Sequence, residues 1–268
     1  MNGAVTLPAY AKLNLYLDIK GKNSDGYHKI ESVMREIDLA DTVTVRVNDD
    51  TGGNAIVVEC DNPAIPTDER NTAFRAAALF MEASGRRFGA DIDISKKIPV
   101  MAGLGGSSAD GAAVLKALNG IYNVFDDAEL LKIGAVLGAD VPFCLTGKAA
   151  FCEGIGDIIT PLPVTEKFFY LIIQPDFKLS TKSAYEMYDR GFRGRGPVSR
   201  GELYNVFQVL YDDGRIDGIC RALVEKGASG ASMTGSGSAV FGVFTERETA
   251  VAAYNELDYP FKFIARGV

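Results

Sequence analysis

The stretch Pro99-Val-Met-Ala-Gly-Leu-Gly-Gly-Ser-Ser-Ala-Asp110 constrains this chain more than any other segment. It sits between a strand-like run and a helix-like one. Glycine lets the backbone turn tightly and lie against a ligand. The N–H groups left open at a helix start attract negative charge, and phosphate is a common occupant of such a loop. Ser107 and Ser108 fall at the helix start, where hydroxyls cap the helix or meet a phosphate or Mg2+. The segment therefore predicts nucleotide chemistry.

Its spelling excludes several phosphate loops. GxxxxGK[ST] is absent, and no GxGxxG opens a βαβ unit with an acidic residue about 20 positions on. The HRD and DFG signatures of protein kinases are absent as well. The helix that follows is rich in alanine from Ala109 to Ala117, so it can pack closely.

The 268 residues suffice for one large domain or two modest ones. With 28 Lys and Arg against 35 Asp and Glu, the net charge is −7. That balance argues against a nucleic-acid or anionic-membrane partner, which favours a basic stripe. A local phosphate cradle is unaffected, because long-range charge is screened. Cys60, Cys144, Cys152 and Cys220 form no CxxC pair and no metal spacing with His28, the single histidine. Unpaired thiols in a reducing compartment are expected. No window reaches the roughly 18 apolar residues of a membrane span, and no basic segment leads into an apolar run at the start. A soluble cytoplasmic protein is the expectation.

Early strands follow one another without crossover helices. Val43, Val45 and Val47 share one face of a strand at Thr42–Asn48; Leu13, Leu15, Leu17 and Ile19 share one face at Lys12–Ile19. Asn54–Cys60 and Asp91–Ser95 read as further strands. The first helix, Thr72–Ser84, is capped by Asn71 and stopped by Gly85. Helices are expected at Ser107–Asn119 and Asp127–Leu137, and strands at Ala149–Glu153 and Phe168–Gln174. Arg190–Arg200 reads as a surface loop. Helices at Gly201–Tyr211 and Ile216–Lys226, a glycine turn at Thr234–Gly237, a strand at Ala239–Phe244, a helix at Glu246–Leu257 and a strand at Phe261–Arg266 complete an α+β chain.

Pro99–Ala113 resembles the central ATP-phosphate motif of the GHMP kinase family of small-molecule kinases. Pro8–Leu17 resembles that family's N-terminal motif, and Ser232-Met-Thr-Gly-Ser-Gly-Ser238 its C-terminal one. Three motifs in order are far more specific than one loop. The resemblance implies a two-domain α+β fold, with a ribosomal-protein-S5-domain-2-like N-terminal domain over 1–155 and a ferredoxin-like domain over 156–268. ATP and Mg2+ are implied as cofactors.

Ala11–Leu15, Asp25-Gly-Tyr-His28, Gly138–Pro142 and Ala149–Gly156 resemble family members that phosphorylate a cytidyl small molecule in non-mevalonate isoprenoid precursor synthesis. By that resemblance Lys12 and Asp140 form the catalytic pair. A carboxylate can orient or accept the hydroxyl proton, and an ammonium can offset charge on the reacting groups. A nearby Lys weakens a carboxylate as a base, and a loose phosphoryl transition state needs little early deprotonation. Asp140 is therefore read as orienting more than abstracting.

The same resemblance places Tyr27 and His28 on the cytosine, by stacking and hydrogen bonding. Tyr185 is either the second aromatic face or one position of a helix core face. Asn14 and Thr181 would line the substrate pocket. Gly103, Leu104, Gly105, Gly106, Ser107 and Ser108 would hold the phosphates, with Ser107 the candidate Mg2+ contact. Thr234, Gly235 and Gly237 would turn beside them. Asn71 is either a position near the adenine or simply the helix cap. Lys96 either approaches the nucleotide or ends an exposed strand. Glu202–Val206 carries no role by resemblance.

Overall fold

Two 21-residue strands, β1 (Asn2–Lys22) and β2 (His28–Asn48), open the computed structural model, which describes residues 2–24, 26–48, 55–164, 167–191, 202–211 and 214–268. Both outrun the strands expected from alternation. β1 extends back from Lys12 through Pro8, which is exposed. Next come β3 (Ile56–Cys60), α1 (Thr72–Ser84), β4 (Gly89–Ser95), α2 (Gly106–Tyr122), α3 (Asp127–Leu137), α4 (Val141–Thr146), β5 (Ala149–Glu153) and β6 (Ile158–Pro161). Then follow β7 (Phe169–Gln174), α5 (Thr181–Asp189), β8 (Tyr204–Asn205), α6 (Val206–Leu210), α7 (Arg215–Glu225), β9 (Gly230–Met233), β10 (Val240–Phe244), α8 (Arg247–Glu256) and β11 (Phe261–Arg266).

The helix expected at 201–211 is in fact β8 followed by α6. The Asn205 side chain accepts from the Phe207 N–H at 2.9 Å and so starts α6 only there. Residue 201, most of the loop expected at 190–200, and residue 54 of the third expected strand lie outside the described residues.

Two compact units interleave along the chain. One holds the chain up to Ala11 with Ala40–Ile98 and Gly105–Gly147; the other holds Lys12–Leu39, Pro99–Leu104 and the chain from Lys148. This is a different division from a single cut after residue 155.

In the first unit, Thr42–Asn48 of β2 pairs antiparallel with β4, and β3 pairs parallel with β4. Val43, Val45 and Val47 are buried, as their alternation predicted. Helix α1 has the expected limits: the Asn71 carboxamide accepts from the Ala73 N–H at 2.8 Å, and Gly85 ends the helix at φ +66°. Small residues let α2 approach its neighbours. A Cβ on Gly111 would stand 2.8 Å from Thr72 Cγ2 and 2.9 Å from Leu137 Cδ2. Phe80 is fully buried, with ring contacts to Phe88, Tyr122 and Phe125. Asp126 and Glu129 close a capping box on α3.

In the second unit, β7, β9, β10 and β11 form an antiparallel sheet in the order β11-β7-β10-β9. Helix α7 packs on β9 and β10, and α8 on β7 and β11. That order, with α7 before β9 and α8 before β11, is the ferredoxin-like arrangement. Strand β10 is buried throughout, so it reads as a continuous apolar run rather than an alternating one. No helix among the described residues is long and apolar enough to cross a membrane.

Truncating Phe80 to alanine removes the ring that three aromatic neighbours share. Phe80→Ala should lower unfolding stability by about 3–5 kcal/mol in urea melts. A loss below about 1 kcal/mol would contradict this packing.

Candidate active site

Lys12 and Asn14 occupy the face of β1 opposite Leu13, yet they are only 3% and 1% exposed. Strand alternation normally turns polar residues to water, so burial of both demands partners. Lys12 Nζ donates to Asn14 Oδ1 at 2.5 Å, and Asn14 Nδ2 donates to Ser32 Oγ at 2.8 Å. The Gly235 N–H also donates to Asn14 Oδ1, at 3.0 Å, and the Asn14 N–H donates to Thr234 Oγ1 at 3.0 Å. The Lys12 N–H donates to the Leu104 carbonyl at 3.0 Å. The three sequence motifs thus meet around one carboxamide.

Glycine is obligatory where they touch. Gly103 has φ +77°, and a Cβ on it would lie 2.2 Å from the Thr234 carbonyl oxygen. Gly235 has φ +56°, and its Cβ would lie 2.8 Å from the Gly103 carbonyl oxygen. Asn205 Nδ2 donates to the carbonyls of Met233 and Gly235, at 2.7 and 2.9 Å, and holds the turn from behind. Asn205 lies in the segment to which sequence reading transferred no role. Thr181 Oγ1 and Ser236 Oγ are 2.6 Å apart, so the start of α5 is tied to the same turn.

A second group in this unit is aromatic. Tyr27 is 63% exposed. The His28 ring stacks on Tyr185 at 4.6 Å and meets Tyr188 edge-on at 5.9 Å. Tyr185 also packs against Phe207 at 4.9 Å, so its place on the core side of α5 is realised. His28 Nε2 lies 2.7 Å from Asp189 Oδ1, and Lys22 Nζ lies 2.6 Å from Asp189 Oδ2. Hydrogen bonds from Lys22 and then His28 hold the Asp189 carboxyl below its ordinary pKa. Sequence reading missed Asp189, Lys22 and Ser32, because none belongs to a spelled motif.

The first unit holds the start of α2. Gly105 caps it in the left-handed conformation, at φ 72°, with no side-chain cap bond and no acidic residue in the first turn. Ser107 is exposed and Ser108 half-buried there. Lys96 Nζ lies near Gly106, 3.4 Å from where a Cβ would stand. The ammonium is 2.5 Å from Asp41 Oδ2 and 2.7 Å from Asp110 Oδ2, with all three side chains buried. Lys96 is therefore neither an exposed strand end nor a lone cation. Burial pushes its pKa down, but Asp110 and Asp41 outweigh that and raise it. Burial pushes the Asp110 carboxyl up to about 7 against the opposing pull of Lys96. One ammonium cannot fully neutralise two carboxylates, and Asp110 Oδ1 has no partner. Asp110 stands in the motif itself, so its charge beside so many small residues was the available signal.

Asn71 acts as the α1 cap, and its Nδ2 donates to the Pro66 carbonyl at 2.7 Å. Asp140, half-buried, precedes α4 at the N-cap position and makes no side-chain cap bond. Pro142 in the first turn pre-sets α4 directly after Asp140.

These residues fit a nucleoside triphosphate. The open α2 start offers N–H groups to phosphate, and the glycines permit close approach. Among the described residues no group of three or more His, Cys, Asp or Glu side chains is placed to hold a metal. Mg2+ fits only as an ion carried mainly by phosphate oxygens and water, with few protein ligands such as Ser107.

Residues 71–148 match the family described as GHMP kinases N terminal domain, and residues 213–262 match GHMP kinases C terminal. A 4-diphosphocytidyl-2-C-methyl-D-erythritol kinase of Clostridium acetobutylicum is 38% identical, covering 98% of this chain and all of its own length. The enzyme of the same name from Clostridium tetani is 39% identical over 94% of this chain and 95% of its own. A crystal structure of 4-(cytidine 5'-diphospho)-2C-methyl-D-erythritol kinase superposes with a TM-score of 0.79 at 28% identity, covering 98% of this chain and 99% of that one.

The raised Asp110 pKa has a signed consequence. The folded state holds the Asp110 proton up to about pH 7, whereas the unfolded chain releases it near the ordinary carboxylate value. Asp110 should therefore cost stability progressively as pH rises from about 4 to about 7. Asp110→Asn removes that titration. The stability of the wild type minus that of the variant should fall across this window in urea melts, and a flat difference would exclude a buried, protonated Asp110.

Proposed function

The chain belongs to the GHMP kinase family, and from that premise we propose that it transfers the γ-phosphoryl group of ATP to the 2-hydroxyl of 4-diphosphocytidyl-2-C-methyl-D-erythritol, giving ADP and the 2-phosphate. The reaction is a step in non-mevalonate isoprenoid precursor synthesis. The observation that carries the reading is the junction of Lys12, Asn14, Gly103, Leu104, Thr234 and Gly235, which unites all three family motifs around one buried amide.

Phosphoryl transfer is mainly positioning and charge stabilisation. The α2 start and the glycines from Gly103 to Gly106 hold the phosphates, with Ser107 and Ser108 as hydroxyl donors. Lys12 offsets charge gathering on the transferred group. Asp140 orients the acceptor hydroxyl and takes its proton late. Mg2+, when bound, neutralises phosphate charge. Tyr27 and His28 hold the cytosine, Tyr185 backs His28, and Asn14 and Thr181 border the substrate's path. The division into a nucleotide half over 1–155 and a C-terminal half over 156–268 is supported by the two family matches, which fall on either side of it. A cytoplasmic location accords with four cysteines that show neither a CxxC pair nor a metal spacing. The acidic net charge of −7 favours a small-molecule partner over nucleic acid or membrane.

With Mg2+ and ATP, purified protein should phosphorylate the cytidyl substrate far faster than mevalonate, homoserine or galactose; failure of that ordering sinks the assignment. Asp140→Asn should lower kcat by about 10²–10⁴ with little change in the KM for ATP. A loss under about tenfold would remove Asp140 from proton handling. Tyr27→Ala should raise the KM for the cytidyl substrate and spare kcat, and an unchanged KM would take Tyr27 out of the site.

A further inference from the structure

Asp189 lies at the end of α5, 161 residues from His28, yet its carboxylate is 2.7 Å from His28 Nε2. We propose that Asp189 is a positioning residue that keeps the His28 proton on Nε2, so that Nδ1 meets the substrate base as a hydrogen-bond acceptor and favours cytosine over uracil. The inference rests on the reading that His28 faces the base.

An ionised carboxylate only accepts hydrogen bonds. Lys22 on the other Asp189 oxygen, at 2.6 Å, helps keep it ionised. The Asp189–His28 contact therefore requires the hydrogen on Nε2. In a neutral imidazole the other nitrogen then has a lone pair and no hydrogen. The ring is not at liberty to turn over. Its side chain is 10% exposed, one face stacks on Tyr185 at 4.6 Å, and Tyr188 stands against it at 5.9 Å. Tyr188 is itself anchored, its hydroxyl donating to the Ile19 carbonyl at 3.2 Å. With Nε2 engaged, the ring nitrogen left for a base is Nδ1. An acceptor there pairs with the exocyclic amine of cytosine. It opposes the 4-carbonyl of uracil, which is an acceptor too, and such a mismatch discriminates strongly when buried.

His28 is the single histidine, so its imidazole gives the only histidine ring signals in a 15N-labelled sample. The test is 15N NMR of that ring at the assay pH, in wild type, Asp189→Asn, Asp189→Ala and Asp189→Glu. It is paired with kcat and KM for the cytidyl substrate and its uridyl analogue. Wild type should show a neutral ring protonated on Nε2. Asp189→Asn and Asp189→Ala should lose the single tautomer. In both, the cytidyl KM should rise about tenfold, kcat should stay within about twofold, and the cytidyl-over-uridyl preference should fall about tenfold. Asp189→Glu should restore part of both signals. A wild-type ring protonated on Nδ1, or on both nitrogens, overturns the proposal. So do ring shifts and a base preference that Asp189→Ala leaves unchanged. Wild type that turns over no cytidyl substrate would sink the functional reading and the base contact with it. A wrong tautomer with normal turnover would sink the Asp189 assignment alone.

Discussion

The carboxamide of Asn14 is the constraint on which much of the second unit depends. A side chain 1% exposed must have its polar atoms satisfied, and Asn14 satisfies them with groups from distant parts of the chain. Its oxygen receives Lys12 Nζ and the Gly235 N–H, and its amine binds Ser32. Its backbone N–H reaches Thr234, 220 residues away. The bonds orient one another: Lys12 is aimed by the oxygen that also tethers the glycine turn. Removing any partner would leave a buried dipole or charge uncompensated, at a cost of roughly 1–3 kcal/mol or more. The close approach of Gly103 to the Thr234 carbonyl follows from the same convergence and excludes any side chain there.

The first unit solves a different problem, that of holding buried charge beside the start of α2. An ammonium shared by Asp41 and Asp110 places Lys96 near the first residue of α2. Asp41 also accepts the Lys97 and Ile98 N–H groups, at 2.5 and 2.8 Å, so it fixes the backbone that leads toward the glycine loop. The arrangement sets position more than it adds stability, because buried ion pairs seldom offset their desolvation. The helix start itself has neither a side-chain cap bond nor an acidic residue in its first turn.

Much of the fold was legible because local chemistry and packing agree. Thr72–Ser84 has its cap and its stop in the spelling, and both operate as read. Val43, Val45 and Val47 alternate, and that face is buried. The misses fall where tertiary contacts override local signals. β1 begins ten residues before the alternating run that starts at Lys12. Asn205 breaks an apparent helix because its side chain caps α6 and braces the glycine turn. Helix α4 and strand β6 are too short for periodicity to reveal.

The chain's spelling alone determined the chemistry on offer: glycines and serines before an alanine-rich helix, a lysine and an asparagine two apart on a strand, a tyrosine and a histidine after a turn. Residue types and spacings decide which groups can bind phosphate, carry charge or stack on a base. Only the tertiary structure decided how those groups are tuned. Alternation predicted the Leu13 face of β1 to be buried, yet folding buried Lys12 and Asn14 on the other face as well. Asp110 looked like a charged residue in a helix, but desolvation next to a shared ammonium raises its pKa to about 7. His28 acquired a carboxylate from α5 that no local pattern announced. Hydrogen bonds and desolvation act through space over a few ångströms, and distance along the chain does not measure them.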